Sequence, residues 1–468
     1  MPAGLQSTPT FELQPSSKQV ALSTNYITNF DFLNQYLPDT YEKEFERYGN
    51  RSVASFLRMV GADMPSMSDK IVWAEQGRLH TKYINVNPSS AAAADTGTFV
   101  VQDSSLGSNN IAIRVGQTVL VSNNANAAQY NKAIVTSVTL PATFEVAYYE
   151  GSGQAFAASD TCSVFVFGSE FKKGTAGMEG SLEAEDEIFE NSPIILKDKY
   201  AVNGSDMAQI GWVEVTTENG ATGYLWYLKS EHETRLRFDD YLETSMLEAV
   251  PAESASGAIA AGFKGSEGVF YSVNDRGNVY SGFPSSLADF DSIISRLDKQ
   301  GAIEENVLFL NRASSFDVDD MLAAQNSYGA GGTSYGLFDN SKDMALNLGF
   351  TGFRRGYDFY KTDWKYLNDP TMRGAGSAAG GYASPALNGL LVPAGSTNVY
   401  DQIMGKNAKR PFLHVRYRAS EAEDRRYKTW ITGSAGGAMN SSLDAMEVHF
   451  LSERCVCVLG ANNFVLFS

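Results

Sequence analysis

Short alternating segments between residues 111 and 151 most strongly constrain what this chain can fold into. Ile111, Ile113 and Val115 alternate with Ala112 and Arg114, and similar apolar groups recur after polar turns. Successive side chains of a β-strand point to opposite faces, so this alternation indicates half-buried strands. We therefore predict a small all-β module at residues 97–168, which ends in the strand-like sequence SVFVFG.

The sequence around this module mixes helical and extended patterns. The longest helical pattern covers residues 223–250, where apolar residues recur every three or four positions until Pro251 ends the helix. A second apolar stripe ends at Gly301 and predicts another helix; it comprises Leu287, Phe290, Ile293, Ile294 and Leu297. Upstream, Asp39 and Glu42 are spaced as a helix cap. The whole chain therefore reads as α+β.

The composition excludes several classes of protein. The net charge of −17 argues against a duplex-binding protein, because such proteins use a basic face to neutralise phosphates. Three cysteines are too few for a disulfide framework. We expect neither a signal peptide nor a membrane span, since the N-terminal residues lack a basic and an apolar region and no apolar run approaches 20 residues. These features favour a soluble protein made in a reducing cytoplasm.

Two motifs carry possible chemistry. Gly332 to Gly336 matches G-x-S-x-G, which would make Ser334 a nucleophile if a strand led into it and a helix followed. The surrounding glycine-rich sequence instead indicates a loop. Cys455 and Cys457 share one face of a predicted strand, and with His449 they form a poor zinc signature, so we predict core cysteines. We predict no catalytic residue, no metal and no cofactor.

Charge is concentrated in two stretches. Residues 179–190 hold six acids and no base, and residues 406–428 hold eight cations against three acids. The basic stretch reads as a solvated face, as a nucleic-acid patch, or as a contact for the acidic stretch, since the chain itself supplies both partners. The predicted contact residues are Glu183, Glu185, Asp186, Glu187, Lys409, Arg410, Arg416 and Arg418.

The order of parts resembles the major capsid proteins of tailed bacteriophages, which have the Hong Kong 97 type of fold. Four segments are also similar to that family: YLNDP at 366–370, LLVPAGS at 390–396, RPFLHVRYR at 410–418, and the ending LSERCVCVLGANNFVLF. The resemblance covers most of the chain and carries no catalytic residues. The β module has no place in the minimal fold, so it looks like an insertion domain, as in some large-capsid phages; the crAss-like group is the narrower placement that it suggests.

The resemblance implies a division of the chain. The parts are an N-terminal arm at 1–30, an N-terminal helix and the start of the P-domain at 31–96, the inserted β domain at 97–168, an E-loop at 169–222, the P-domain with its spine helix at 223–300, an A-domain at 301–430, and C-terminal strands closing the core at 431–468. The E-loop of this family lies across a neighbouring subunit, so the predicted charge contact would join two copies.

The resemblance also implies a function. The chain would assemble into hexamers and pentamers that form an icosahedral shell around packaged phage DNA, which it would enclose without sequence-specific binding. Its partners would be neighbouring capsomers and scaffolding, portal and decoration proteins, with no membrane, and it would be made in the bacterial host cytoplasm and end in the virion. Two alternatives stay open: an encapsulin-like shell protein, and a serine hydrolase that uses Ser334.

Overall fold

The computed structural model describes most of the chain downstream of residue 61. The described residues are 56, 62–89, 95–103, 106–107, 109–126, 128–150, 155–180, 182, 186–208, 215–216, 222–223, 226–301, 303–325, 351–369, 371–373, 387–394, 396–401, 406–437 and 439–468. They form two compact units, one within Met1–Val72 and Glu190–Ser468 and the other within Trp73–Phe189. The predicted N-terminal arm at 1–30, the cap at Asp39 and the loop of Ser334 lie outside the described residues.

Strands provide most of the regular structure. They are β1 Ala62–Ser66, β2 Ile71–Gln76, β3 Lys82–Pro88, β4 Thr96–Val101, β5 Gln117–Asn123, β6 Tyr130–Thr139, β7 Thr143–Tyr148, β8 Cys162–Ser169, β9 Asp186–Asn191, β10 Ile194–Asn203, β11 Val215–Thr216, β12 Thr222–Gly223, β13 Asn278–Tyr280, β14 Glu305–Leu310, β15 Gly352–Arg355, β16 Tyr357–Asp363, β17 Gly389–Pro393, β18 Ser396–Asp401, β19 Lys406–Pro411, β20 Leu413–Arg418, β21 Lys428–Gly433, β22 Ala445–Val458 and β23 Val465–Phe467.

Seven α-helices accompany these strands in the described residues. They are α1 Gly204–Met207, α2 Trp226–Glu248, α3 Gly257–Ala260, α4 Val269–Arg276, α5 Leu287–Gln300, α6 Arg312–Gln325 and α7 Lys365–Asn368. The predicted stripe that ends at Gly301 is confirmed as α5, which begins at a capping box formed by Ser286 and Asp289. The 23 residues of α2 extend for about 35 Å and match the predicted spine helix.

The unit within Trp73–Phe189 is a closed β-barrel. Its strands follow the order β3-β4-β7-β6-β5-β8, and each contributes apolar side chains to a shared core. Ile111, Ile113 and Phe156 lie outside the strands and are fully buried in the same core. Side chains therefore fill the interior, as expected for a small barrel.

The barrel is larger than the predicted module. It begins at β3, whereas the prediction began at residue 97, and β3 pairs with both β4 and β8. The sequence KYINVNP has the alternation of a strand, but alternation identifies a strand and not its partner. Only the pairing shows that β3 completes the barrel.

The other unit contains a sheet built around β22, in which β10, β20 and β21 pair antiparallel with β22 and β1 pairs in parallel with β20. The order is β1-β20-β22-β10, with β21 also paired to β22, and β10 follows β22 over ten residue pairs. The spine helix α2 packs on one face of this sheet, where Phe238 and Leu242 contact Met446, Val448 and Phe450. This face of the sheet is buried because alternate residues of β22 point toward the helix.

A second, mixed sheet lies in the same unit. Its order is β13-β23-β17-β14-β16-β15, and its apolar side chains pack with α5 and α6. A further core joins this sheet to the first one: Met246 and Leu247 of α2, Phe309 of β14 and Val456 of β22 all belong to it. The two sheets of this unit are therefore packed into one body.

Two predicted boundaries differ from the observed pairing. The segment predicted as a two-stranded E-loop, 169–222, contains β9 and β10, but β9 pairs with β2 and β10 pairs with β22. The chain leaves one unit at Val72 and returns at Glu190, and both points lie in the paired strands β2 and β9. One strand of this ribbon, β2, therefore precedes the barrel in the sequence and the other, β9, follows it. The prediction placed both strands of the ribbon after the barrel.

The range predicted as the A-domain, 301–430, also contains strands of both sheets. Strand β20 and the first half of β21 fall in this range, yet both belong to the sheet built around β22. Conversely, α5 was assigned to the P-domain range 223–300, but it packs on the mixed sheet. Both differences arise because sheet membership depends on long-range pairing that a local pattern does not report.

Candidate interaction surfaces

Several cations of the predicted basic stretch pair with acids of the same chain. Arg418 pairs with Asp69 and lies 3.3 Å from the carboxylate of Glu453, and Arg425 lies 2.6 Å from the same carboxylate. Glu453 is buried on β22, so two guanidinium groups compensate one buried charge. Neither partner of Arg418 belongs to the predicted acidic stretch. Arg418 therefore holds the sheet together, which was not predicted.

Other cations of this stretch also have contacts within the chain. Arg426 lies 2.7 Å from Asp63 of β1, and its guanidinium lies 5.5 Å from the ring centre of Tyr417. Lys428 lies 2.6 Å from Glu423. The guanidinium of Arg416 lies 3.9 Å from the sulfur of Met64, on the neighbouring strand. These contacts tie β1, β20 and β21 together.

The remaining predicted cations lie on a hairpin. Lys409 and Arg410 are in β19, which pairs only with β18 among the described strands, opposite Asn398 and Thr397. A lone two-stranded hairpin is marginally stable in water, so further contacts usually support it. Lys409 and Arg410 are thus the predicted basic residues that the structure places away from the main sheets.

The acidic stretch enters the ribbon of β2 and β9. Asp186 and Glu187 are exposed at the start of β9, and Glu190 pairs with Lys70. Glu183 and Glu185 lie outside the described residues. The same ribbon exposes large apolar side chains: Ile188 is 68% exposed and Val72 is 54% exposed. Such a combination of charge and exposed apolar area is typical of a surface that is covered by a partner.

The cysteines are buried, as predicted. Cys455 and Cys457 lie side by side on one face of β22, opposite Arg416 and His414 of β20. The hydrogen bond with Cys457, together with burial, raises the pKa of the Cys455 thiol. His449 instead stacks on Trp430, with ring centres 5.1 Å apart. Among the described residues, no three His, Cys, Asp or Glu side chains are arranged to hold a metal ion.

A groove on the barrel was not predicted. It has a volume of about 560 Å³, and its lining includes Thr118, Lys132, Tyr149, Glu150, Phe167 and Glu170. Tyr149 donates a hydrogen bond of 2.6 Å to Glu170. Burial of the hydroxyl and this bond raise the pKa of Tyr149 to about 12, so the phenol stays neutral at physiological pH. The only hint in the sequence is the aromatic run FVFGSEF.

Comparisons with known proteins give structural neighbours only. No family model matches the chain, and no curated protein matches it. A structure described as Microbacterium phage Oxtober96 has 8% identity over 94% of this chain and 97% of the other, with a TM-score of 0.40. The capsid of a native GTA particle has 7% identity over 94% and 99%, with a TM-score of 0.38. The mature capsid of bacteriophage PhiM1 has 9% identity over 65% and 78%, with a TM-score of 0.34.

The descriptions of these three structures name phages or capsids. In the part of the chain that the structure describes, no helix is both long enough and apolar enough to cross a bilayer.

Proposed function

We propose that this chain is a structural capsid protein that assembles into a closed shell. The observation that carries the proposal is the architecture of the larger unit together with its ribbon. A 23-residue spine helix packs across the sheet built around β22, a second sheet adjoins it, and a two-stranded ribbon exposes Val72 and Ile188. A ribbon of this kind gains stability from a neighbour, and a shell supplies the same neighbour to every copy.

The finer parts of the proposal follow the resemblance to the Hong Kong 97 type. The copies form hexamers and pentamers of an icosahedral virion shell, with scaffolding, portal and decoration proteins as partners, after synthesis in the cytoplasm of the host bacterium. The shell encloses DNA without binding its sequence. The net charge of −17 supports this, since an acidic wall does not adhere to packaged DNA.

Electron microscopy of the purified chain, alone and with a scaffolding partner, tests this proposal. We expect hollow closed particles built from rings of five and six copies. A compact monomer under every assembly condition would contradict the proposal. Small shells that load a cargo enzyme would favour the encapsulin-like alternative, and labelling of Ser334 by a serine-directed probe would favour the hydrolase.

We further propose that the acidic ribbon of one copy contacts the basic hairpin of another. Opposite charges of this kind steer docking and fix register more than they add affinity. Arg416 and Arg418 lie on β20, in the sheet built around β22, and have contacts within their own chain. Lys409 and Arg410 lie on β19, a strand outside that sheet, so we assign them to the basic side.

Charge reversal tests this contact. Replacing Glu185, Asp186 and Glu187 with Lys should block shell formation, and adding Lys409→Glu and Arg410→Glu should partly restore it. High salt should weaken assembly of the parent chain. The control is Arg418→Glu, which should destabilise the subunit itself because it leaves Glu453 beside a like charge. Normal assembly of the triple variant would refute the contact but not the capsid function.

A further inference from the structure

The groove on the barrel contains the aromatic ring of Phe167, which lies at an irregularity in strand β8. Strand β8 pairs with β5 through Val119↔Val166 and then Thr118↔Gly168, so Phe167 is an extra residue with no partner in the ladder. A β-bulge of this kind turns its side chain away from the regular alternation, and bulges are common beside functional sites. Phe167 is 49% exposed and lines the groove.

The groove combines aromatic and acidic groups. Tyr149 is 49% exposed beside Phe167, and Glu150 and Glu170 contribute two carboxylates against the single ammonium of Lys132. The segment 73–189 as a whole carries twelve acidic and six basic residues, so the surrounding field is also negative. A cation above an aromatic face is attracted by the negative face of the ring, and nearby carboxylates add to that attraction.

We propose that this groove binds an arginine or lysine side chain presented by a partner protein. The aromatic faces of Tyr149 and Phe167 stack on the flat or extended side chain, and the carboxylates of Glu150 and Glu170 form ion pairs with its charged group. Arginine suits the site better than lysine, because its planar guanidinium stacks on rings and is weakly hydrated. The proposal does not depend on the shell function, since it concerns one copy of the barrel.

The expected affinity for one side chain is low. An exposed cation–π contact strengthens binding about two- to fivefold, and an exposed ion pair by at most about fivefold. A single side chain therefore binds weakly, and tight binding needs several basic residues on one partner or many copies of the groove on one particle. A repeated surface is the setting in which such a weak site becomes effective.

Saturation-transfer NMR on the full-length chain tests the proposal with a short arginine peptide. The probe is acetyl-Gly-Arg-Gly-amide, and the matched probe replaces arginine with citrulline, which keeps the shape and removes the charge. We expect saturable transfer to the arginine peptide, several-fold weaker transfer to the citrulline peptide, and weaker binding at high salt.

Four variants locate the site. Phe167→Ala should weaken binding about two- to fivefold, and Glu150→Gln combined with Glu170→Gln about five- to tenfold. Lys132→Gln should strengthen binding about twofold, because it removes a like charge. Phe165→Ala is the matched control, since Phe165 is exposed on the same strand but does not line the groove, and it should leave binding unchanged.

Several results would overturn the proposal. These are the absence of saturable binding, equal binding of both peptides, equal effects of Phe165→Ala and Phe167→Ala, or weaker binding after Lys132→Gln. If a neutral oligosaccharide such as cellohexaose bound in a Phe167-dependent manner and the arginine peptide did not, the groove would be a carbohydrate site. Circular dichroism of each variant separates loss of the groove from loss of the fold.

Discussion

At the scale of single residues, Asn191 connects the ribbon to the core of the larger unit. Its amide donates to the carbonyl oxygens of Glu267 (2.9 Å) and Val456 (2.6 Å). Its side-chain oxygen accepts from the hydroxyl of Ser266 and from backbone N–H groups, that of Glu267 among them. All of its hydrogen-bonding capacity is used while the side chain is buried. A buried amide with complete partners fixes the position of the strand that carries it.

We predict that Asn191→Ala lowers the free energy of unfolding by about 2–4 kcal/mol, because several buried groups lose their partner at once. Chemical denaturation measures this change. Asn203→Ala is the control, because Asn203 is exposed at the end of β10 and makes one long hydrogen bond to Asp206. This variant should lower the free energy of unfolding by less than about 0.5 kcal/mol. Equal losses in the two variants would refute the structural role of Asn191.

At the scale of elements, the contact between α2 and the sheet of β22 is the principal apolar junction of the spine helix. Phe238 is fully buried there, with its ring centre 5.8 Å from that of Phe450 and 5.5 Å from that of Tyr427. Tyr241 lies three residues later on α2 and is half exposed. The two positions therefore separate the packing face of the helix from its exposed face.

We predict that Phe238→Ala destabilises the larger unit by about 3–5 kcal/mol, since it removes a buried ring and leaves a cavity. Tyr241→Ala changes helix propensity by a similar amount but removes little buried area, so it should cost less than about 1 kcal/mol. Urea titrations followed by far-ultraviolet circular dichroism compare the two. A small effect of Phe238→Ala would mean that α2 is not anchored through this ring.

The sequence predicted elements better than it predicted their partners. The stripe from Leu287 to Leu297 and the run before Pro251 identified α5 and α2, because helical spacing is local. The pairing of β2 with β9 joins strands separated by more than a hundred residues, and alternation reports the buried face of a strand but not its neighbour. The exposure of the Phe167 ring depends on a shift in the register between β5 and β8, and hydrophobic periodicity in the sequence does not reveal such a shift.

The same limit explains why the sequence could not distinguish predicted contact residues that stabilise the subunit from those that lie on a separate hairpin. Arg418 reads from sequence as one member of a basic cluster, yet Asp69 and Glu453, its partners, lie far from it in the chain. Lys409 and Arg410 have the same charge and a similar local context. Only the position of β19 in a separate hairpin distinguishes them.

At the scale of the whole molecule, the barrel is a self-contained insertion. It has its own closed sheet and its own apolar core, and the chain enters and leaves it through paired strands. A unit of this size buries enough apolar surface to fold alone.

We therefore predict that residues 73–189 fold in isolation, with a β-type circular dichroism spectrum and a cooperative transition. The control fragment 97–168 lacks β3, leaves the barrel open between β4 and β8, and should not fold. Conversely, joining Gln76 to Asp186 through Asn-Gly, a dipeptide suited to a two-residue hairpin, should leave the rest of the chain folded. An unfolded spectrum of 73–189, or loss of the larger unit after excision, would contradict this independence.

The pairing of β2 with β9 also has a consequence for the route by which the chain reaches its native state. Strand β1 precedes the insertion and its partner β20 follows it, so an unstructured insertion would lengthen the loop that this pairing must close. A barrel that forms first, together with the pairing of β2 with β9, brings Val72 and Glu190 together. The entropy of closing that loop is then lost in an early step within the insertion, and the larger unit can form at the rate of a much shorter chain.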